Sequence, residues 1–452
     1  MDKQTSLKII FLLTVVSIGL ILRIHLYLDS PMYTTDGSLG YVHPDAGEYL
    51  AIGQYILEHG LINYFTNEIS VRMPCGEPLY LVLIYKIFDG NFQHMRMFGI
   101  FVSCLNILLI YEIAKKMFNS WRVAILSALL FAVNYQIARY AYTFLTETLF
   151  LMCCSVFVYF YLLAKEKNNS RYMCIVATIF LFLATLTRAI SMLMPAAIIF
   201  LYSMYFFLSK KTEVKSELRN WIVIGVIFYL LLTPFLIKNH FLFNLNNLCT
   251  GGGTALFLGS RVETYGDEPA FYGQTYECIY SVIGEANHRT VQSDKNLYLA
   301  GVENIKAHPL KYLQISVKKI ARLTIGTNYA WFNGLPEKNI PSIYEYTKNK
   351  LLITELILQI FLFTVIYSFA LFGIWEQRKN FYLNAMILIP LYFIVFSIPF
   401  LAILRYGIII LPFVTIFAAY EIVEIYTKKK YLLGSIGLLF SVLMFGYICL
   451  GY

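Results

Sequence analysis

The sequence predicts an all-α polytopic membrane protein with about eleven transmembrane helices. Three observations support this prediction. Charged residues make up only 14% of the 452 residues, whereas a soluble domain carries about 25%. The mean hydropathy is +0.63, and a chain this apolar cannot cover its surface with polar groups, so lipid must solvate much of it. Finally, long apolar runs alternate with clusters of Lys and Arg, and the 17% aromatic content suits a protein with two water–lipid interfaces.

The apolar runs define the spans, since a transmembrane helix needs about 20 mainly apolar residues. In chain order the predicted spans are 7–28, 93–114, 122–138, 145–164, 172–187, 189–208, 220–241, 351–374, 381–402, 405–425 and 431–451. Only Arg188 separates the fifth span from the sixth.

The basic residues predict the orientation. A cluster follows every even-numbered span, beginning with Lys115, Lys116 and Arg122 after the second and ending with Lys428–Lys430 after the tenth. By the positive-inside rule these loops and the amino terminus are cytoplasmic. The net charge of +9 is therefore read as a topology signal, and no nucleic-acid partner is expected.

Two long loops then fall on the outer side of the membrane. The first, 29–92, carries two amphipathic stretches, Ala46–His59 and Pro78–Phe88, which are predicted to lie in the interface plane. The second, 242–350, is predicted to form a small outer cap, with a glycine run at Gly251–Gly253 and a helical stretch from Tyr298 to Ile325.

The chain therefore divides into three predicted parts. Residues 1–241 form a catalytic transmembrane module, 242–350 the outer loop or cap, and 351–452 the C-terminal transmembrane helices.

Ionisable residues collect at the predicted outer face. The acidic ones are Asp45, Glu48 and Glu147, and the basic ones are Arg72, Arg139, Arg188 and Arg405. Ionisable groups at membrane depth are costly and usually line a cavity in pairs. Either Glu147–Arg188 or Glu147–Arg405 alone is equally well explained as a structural ion pair, but several such residues at one face favour a polar site.

The chemistry of this set suggests group transfer. Outside the cytoplasm a transferase needs an activated donor delivered by the membrane, such as a lipid phosphate-sugar. The donor phosphate favours arginine, and an acceptor hydroxyl needs a carboxylate base within hydrogen-bond reach. The outward residues provide both types.

Five segments carry a resemblance to a known family. They are HPDAGEYLAI at His43–Ile52, RMPCGEPL at Arg72–Leu79, FLTETLF at Phe144–Phe150, NIKAHPLKYL at Asn304–Leu313, and Arg405-Tyr406 followed by Leu411-Pro412. In order and spacing they resemble the motifs of the GT-C glycosyltransferases, specifically the protein O-mannosyltransferase and lipid A aminoarabinose transferase group. One departure is Ala46, which stands where that group often has a second acidic residue.

The resemblance implies an inverting transfer of a sugar from a polyprenyl-phosphate donor to a hydroxyl of an envelope glycan, a lipid or a protein. It implies Asp45 as the base, with Glu48 and Glu147 as further catalytic candidates, and Arg72, Arg139, Arg188 and Arg405 as donor-phosphate ligands. No cofactor is required, although a divalent metal stays open. The expected location is the cell (inner) membrane, with the active site on the outer or periplasmic face.

Each candidate also has a plainer explanation. Asp45 would serve equally as a helix cap, and the arginines as interface anchors whose heads reach the water. The glycine run is more simply a turn than a phosphate cradle. Lys318, Lys319 and Arg322 suggest a solvated basic face, and His43 and His59 are more simply loop residues than metal ligands.

Two further expectations concern the whole chain. Cys249 and Cys278 share an outward loop, which permits a disulfide. The competing functions are a lipid or glycan transporter or flippase and a non-catalytic assembly protein. A transporter predicts charges at the bilayer midplane, broken helices and internal repeats, and an assembly protein does not need a carboxylate–arginine cluster.

Overall fold

The fold is known from a computed structural model that describes residues 3–166, 170–269, 274–284, 287–325, 350–429 and 433–442. Within these ranges the chain is helical and contains no β-strand. The α-helices are Lys3–Leu28 (α1), Pro44–Thr66 (α2), Gly76–Ile87 (α3), Phe92–Phe118 (α4), Trp121–Ala132 (α5), Tyr135–Tyr140 (α6), Glu147–Glu166 (α7), Arg171–Thr187 (α8), Met194–Ser209 (α9), Thr212–Phe243 (α10), Gly252–Ser260 (α11), Glu277–Ile283 (α12), Val291–Ala307 (α13), Pro309–Ile325 (α14), Lys350–Gln377 (α15), Asn384–Ser397 (α16), Leu404–Gly407 (α17), Leu411–Lys428 (α18) and Leu433–Val442 (α19). Short 3₁₀ turns cover Glu68–Val71, Ala189–Leu193, Phe381–Leu383 and Ile408–Ile410.

The membrane-spanning character of the chain is confirmed by these helices. Six described segments are long and apolar enough to cross a bilayer, namely Thr5–Leu28, Phe92–Phe118, Glu147–Glu166, Ala189–Ser209, Thr212–Phe243 and Arg405–Lys428. Five more apolar helices are shorter over their described residues: Trp121–Ala132, Arg171–Thr187, Phe361–Gln377, Phe381–Ser397 and Leu433–Val442. Each of the eleven predicted spans overlaps one of these segments. Residues 431–432 and 443–451 of the last predicted span, and 270–273, 285–286 and 326–349 of the predicted outer loop, lie outside the described residues.

Helix α7 lies near the centre of the helix bundle and α1 lies at its edge. Of the most apolar stretch of each helix, 72% is buried inside the protein in α7 and 22% in α1. Around α7 the core is aromatic, with the Trp221 ring 6.1 Å from Phe157 and 5.4 Å from Tyr161. Such packing lets α7 carry a polar residue at its end, because neighbouring helices shield that residue from lipid.

The first outer loop contains the two predicted helical stretches. Within Pro44–Thr66 the first stretch ends after His59, as predicted, because Gly60 has non-helical geometry (φ 81°, ψ 166°), and a second helical segment continues from this kink to Thr66. The buried Arg96 of α4 fastens the chain ahead of α2 by donating to the carbonyl oxygens of Leu39 at 2.9 Å and Tyr41 at 3.2 Å. These bonds hold the non-helical segment that leads into α2 in place, because a buried guanidinium that lost them would be left with unsatisfied donors.

The second outer loop differs from the prediction in its helix count. The single helical stretch expected from Tyr298 to Ile325 is two helices, Val291–Ala307 and Pro309–Ile325. The break falls at His308 because proline has no backbone N–H and disfavours helical geometry in the residue before it.

The glycine run opens α11, and its amides already have a partner. Asp294 Oδ1 accepts from the backbone N–H groups of Gly251 and Gly253, each at 2.8 Å. A Cβ at Gly253 would lie 1.9 Å from the carbonyl oxygen of Asp294. The alternative of a phosphate cradle is therefore wrong, since a carboxylate of the same chain occupies this helix N-terminus.

Two expectations for the second loop are wrong. Lys319 and Arg322 are buried, so these residues do not form a solvated basic face together with the exposed Lys318. Cys249 and Cys278 are both free thiols. Cys249 is buried, whereas the Cys278 sulfur lies 4.0 Å from the carbonyl oxygen of Thr275.

Candidate active site

Four of the predicted site residues meet directly, although they lie far apart in the sequence. Arg405 Nε donates to Glu147 Oε1 at 2.5 Å, and Arg405 Nη1 donates to Asp45 Oδ2. Arg188 Nη1 donates to the same Glu147 oxygen at 2.8 Å. The outcome is one cluster of two carboxylates and two arginines, and we call these four residues the acid–arginine cluster.

The four side chains come from helix ends and breaks. Glu147 is the first residue of α7, where a negative charge suits the helix dipole. Arg188 lies at the extended break between α8 and the following 3₁₀ turn. Arg405 belongs to the short helix α17, which precedes α18. These interruptions turn side chains towards a shared point that continuous spans would not provide.

The two carboxylates differ sharply in exposure. The Glu147 side chain is only 1% exposed, and the Asp45 side chain is 33% exposed. Glu147 Oε1 binds two arginines, and no residue that the structure describes hydrogen-bonds to its buried Oε2. Glu147 therefore acts as the buried counter-charge that keeps Arg188 and Arg405 in place, and Asp45 is the carboxylate that meets solvent.

A further arginine, Arg289, completes the surroundings of Asp45. Its Nη2 lies 3.2 Å from Asp45 Oδ1, and its Nη1 contacts the sulfur of Met73 at 2.8 Å. Burial alone would raise the pKa of Asp45, but Arg405 and Arg289 hold that pKa well below its usual range. Asp45 is therefore ionised at neutral pH, with both oxygens engaged by arginine.

Asp45 does not cap its helix. The cap residue is His43, whose Nδ1 accepts from the backbone N–H of Asp45 at 3.2 Å. Burial and the nearby Arg405 lower the pKa of His43 to about 4, so its ring is neutral and free to accept. The capping explanation for Asp45 is thus contradicted, and its carboxylate is available for another role. His59 is stacked on Tyr55 with ring centroids 4.2 Å apart.

For the remaining predicted residues, Glu48, Arg139 and Arg72, the structure shows other contacts. Glu48 lies one turn along α2 from Asp45, and its charge acts on His288. Arg139 lies in α6 and is stacked over the ring of Tyr135, 4.4 Å from its centroid. Arg72 directly follows the 3₁₀ turn Glu68–Val71, and within the described part of the chain its buried Nε has no hydrogen-bond partner.

Arg72 and Arg289 are neighbours through the backbone. The Thr250 hydroxyl lies 3.3 Å from the Arg72 carbonyl oxygen and 3.0 Å from that of Arg289. The Arg72 segment is therefore fastened beside the arginine that binds Asp45.

Sequence reasoning missed two residues of this region, Arg289 and Glu268. Glu268 is buried and accepts from the Tyr276 hydroxyl at 2.6 Å. Burial raises the pKa of Glu268 to about 7, and the charge of Asp45 adds to the shift. Both residues lie in the long second loop, where no local pattern separates a site residue from an ordinary surface charge.

The Arg72–Leu79 segment also holds a buried carboxyl. Glu77 of α3 is 1% exposed, and its Oε2 has no hydrogen-bond partner among the described residues. Burial and the nearby Glu147 raise the pKa of Glu77 well above its usual range. Among the residues described, no three His, Cys, Asp or Glu side chains gather as a metal-binding set.

Comparison with known proteins gives one match in sequence and several in structure. Residues 74–237 match the family of dolichyl-phosphate-mannose-protein mannosyltransferases. This segment includes Glu147 and Arg188 but not Asp45, Arg289 or Arg405. No curated protein matches the chain in sequence.

Two structures of the oligosaccharyltransferase of Archaeoglobus fulgidus share its fold. The archaeal oligosaccharyltransferase AglB in complex with an inhibitory peptide and a dolichol-phosphate gives a TM-score of 0.52 at 11% identity, over 98% of this chain and 54% of that chain. The same organism's enzyme in complex with zinc and sulfate gives 0.53 at 12% identity, over 95% of this chain and 51% of that chain. ArnT from Cupriavidus metallidurans bound to undecaprenyl phosphate gives 0.39 at 14% identity, over 91% of this chain and 77% of that chain. This chain spans about half the length of the two oligosaccharyltransferase chains, and the likeness to them is one of fold.

Proposed function

We propose that this chain, which has the membrane fold of the GT-C superfamily, is an inverting glycosyltransferase. The donor is a polyprenyl-phosphate-linked sugar, and the acceptor is a hydroxyl of an envelope glycan, a lipid or a protein. The matched mannosyltransferase family supports glycosyl transfer as the kind of reaction. The active site lies on the non-cytoplasmic face of a multi-pass cell-membrane protein whose amino terminus is cytoplasmic.

One observation carries the proposal. In the acid–arginine cluster, a half-exposed carboxylate, Asp45, is joined through Arg405 to a fully buried one, Glu147. A purely structural ion pair needs no carboxylate at the surface. An exposed acid backed by arginines supplies what phosphate-linked sugar transfer needs, namely a proton acceptor beside cations that bind phosphate.

The donor phosphate has several cations within this region. Arg72 offers a guanidinium whose Nε has no partner in the structure, while Arg289 and Arg405 are bound to Asp45. Arginine suits this role because its planar fork binds two phosphate oxygens at once. We assign Arg72, Arg289 and Arg405 to phosphate binding, and Arg188 to holding Glu147.

This arrangement couples donor binding to catalysis. A carboxylate held by two arginines is a poor base, because both cations stabilise its ionised form. A donor phosphate that draws Arg405 or Arg289 towards itself relieves Asp45 of that stabilisation. Asp45 therefore becomes a competent base only when the donor is in place, which limits unproductive hydrolysis.

The transfer step balances as follows. The acceptor oxygen attacks the anomeric carbon while its proton passes to an Asp45 oxygen. The bond between the anomeric carbon and the phosphate oxygen breaks, and polyprenyl phosphate leaves with the electron pair. Attack from the face opposite the phosphate inverts the anomeric configuration. The arginines neutralise the charge that develops on the leaving phosphate, so the proposal needs no cofactor.

A detergent-based assay tests this function and separates it from flipping. Solubilised protein is mixed with a polyprenyl lipid extract of the cells that make it, and released polyprenyl phosphate is followed by mass spectrometry. We expect release that depends on the protein, does not change when EDTA is added, and matches a glycan or lipid product missing from cells without the protein. A flippase moves lipid between the two leaflets of a bilayer, and a detergent micelle has no leaflets. Lipid transport by the protein in reconstituted vesicles, together with no release of polyprenyl phosphate in detergent, would contradict the proposal.

A further inference from the structure

The helix α14, Pro309–Ile325, turns its polar groups inwards. The Tyr312 hydroxyl donates to the carbonyl oxygen of Pro399 at 3.1 Å, and Lys319 Nζ donates to that of Ile398 at 2.9 Å. Arg322 donates to the carbonyl oxygen of Tyr265 at 2.8 Å. Because these long polar side chains point to the buried side of α14, they do not cover the opposite side of the helix.

The opposite side of α14 is apolar and uncovered. Leu310, Leu313, Val317 and Ile320 are 76%, 64%, 65% and 40% exposed. Their spacing of three, four and three residues places them along one stripe of the helix. Each such side chain gains about 1.5–3 kcal/mol on full burial, so four in a row form a surface that water alone does not favour. We call these four residues the apolar stripe.

The helix lies at the level where two spans end. Ile398 and Pro399, which accept from α14, directly follow Ser397, the last residue of α16. Gly407, near the start of the Arg405–Lys428 span, packs so closely on α14 that a Cβ there would lie 1.6 Å from the Leu323 carbonyl oxygen. Contacts with the ends of spans, on the same side as Arg405, place α14 at the membrane–water boundary.

Two cations flank the apolar stripe. Lys311 and Lys318 are exposed and stand seven residues apart, which puts them on the same side of the helix. Lys318 Nζ also lies 4.6 Å from the centroid of the Tyr265 ring. An apolar stripe beside lysines is the pattern of a helix that lies in the interface with its charges at the level of the lipid phosphates.

We propose that α14 lies in the plane of the membrane, with the apolar stripe in the acyl chains of the leaflet on the Arg405 side. Lys311 and Lys318 face the lipid phosphates of that leaflet. The occupant of the stripe is thus the bilayer itself, because α14 continues the lipid-facing surface of the spans it contacts. Because Leu323 packs against Gly407, two residues from Arg405, this helix sets the depth of the arginine end of the site relative to the lipid headgroups.

Depth-dependent quenching tests the proposal on the full chain in nanodiscs. Val317→Cys is labelled with an environment-sensitive fluorophore, and quenching is compared between lipids that carry a nitroxide near the headgroup and lipids that carry it deep in the chain. Two exposed positions serve as controls, one for a site deep in the bilayer and one for a site in water. Leu230→Cys lies in the α10 span at 68% exposure, and Leu299→Cys lies on α13 at 53% exposure. The parent protein, labelled in parallel, gives the signal of native thiols to subtract.

We expect the shallow nitroxide to quench Val317→Cys strongly and the deep nitroxide to quench it less, as for a helix about 5–10 Å below the headgroups. Leu230→Cys should respond to the deep nitroxide, and Leu299→Cys should instead be quenched by aqueous iodide. Iodide quenching at Val317→Cys equal to that at Leu299→Cys would overturn the proposal. Protection from both iodide and nitroxide lipids would also overturn it, since a second copy or another protein would then cover the stripe. If Val317→Cys does not fold, Leu313→Cys provides the same reading.

Discussion

Replacement of Asp45 by asparagine tests the proposed chemistry most directly. Asparagine keeps the shape of the side chain but cannot accept the proton of an attacking hydroxyl. A positioned general base contributes about 100- to 10,000-fold to the rate, which corresponds to about 2.7–5.5 kcal/mol of transition-state stabilisation. We therefore expect Asp45→Asn to lower the transfer rate by a factor in that range.

The structure predicts a smaller effect of the same change on folding. His43, and not Asp45, caps α2, so the helix start is unaffected. Arg405 keeps its bond to Glu147 at 2.5 Å, and Arg289 keeps its contact with Met73. The loss of charge-assisted hydrogen bonds at a half-exposed side chain costs about 1–3 kcal/mol.

The assay is release of polyprenyl phosphate by the solubilised variant, with thermal unfolding measured on the same preparation. Glu48→Gln is the matched control, since it removes a carboxylate from the same helix one turn away. We expect Glu48→Gln to retain most of the activity. Transfer near the wild-type rate by a folded Asp45→Asn protein would refute the assignment of the base, and loss of activity in Glu48→Gln alone would move the base to that residue.

Four other outcomes follow from particular contacts. Glu147→Gln should destabilise the protein by about 3–5 kcal/mol in denaturant unfolding, because it leaves two buried arginines without their shared carboxylate. Gly253→Ala should cost about 1–3 kcal/mol in the same measurement, since the new methyl group would meet the Asp294 carbonyl oxygen at 1.9 Å. The pKa of Glu268 is raised from 4.5 to about 7, so its stabilising contribution is complete below pH 4.5 and is lost as the pH rises through 7. Glu268→Gln should therefore have a higher melting temperature than wild type above about pH 7, and this difference should disappear in acid. Lys211→Cys, at an exposed position before α10, should resist impermeant thiol reagents in intact cells, and strong labelling there would reverse the predicted orientation.

Properties that depend on residues close together in the sequence were predicted, and properties that depend on residues far apart in the sequence were not. The apolar runs located the apolar helices of the described chain, because the hydrophobicity needed for membrane insertion lies in about 20 consecutive residues. The break at Pro309 was readable in principle for the same reason, since the effect of proline on a helix is local. The start of α2 was predicted from the sequence, but its capping residue was not. Asp45 looked like the cap, whereas His43 occupies that position.

The partners of buried groups depended on tertiary structure. Lys319 and Arg322 looked like a solvated pair, but each reaches a carbonyl oxygen 57 or more residues away. The glycine run looked like a turn or a phosphate cradle until Asp294, more than 40 residues later, reached its amides. A charge or a glycine has no local property that reveals which distant group will face it.

The sequence by itself determined that this chain is a helical membrane protein and where its apolar helices lie, and it singled out Asp45, Glu147, Arg188 and Arg405 as candidates for one site. Their grouping was predictable because Glu147, Arg188 and Arg405 lie at the ends of apolar runs, where a charge is tolerated, and Asp45 lies in the first outer loop. Only the tertiary structure decided that Arg405 joins Asp45 to Glu147 across separations of 360 and 258 residues, and that Arg289 completes the set. Helix positions follow from local hydrophobicity, whereas the choice of ionic partner follows from how the helices pack, and packing is a property of the whole chain.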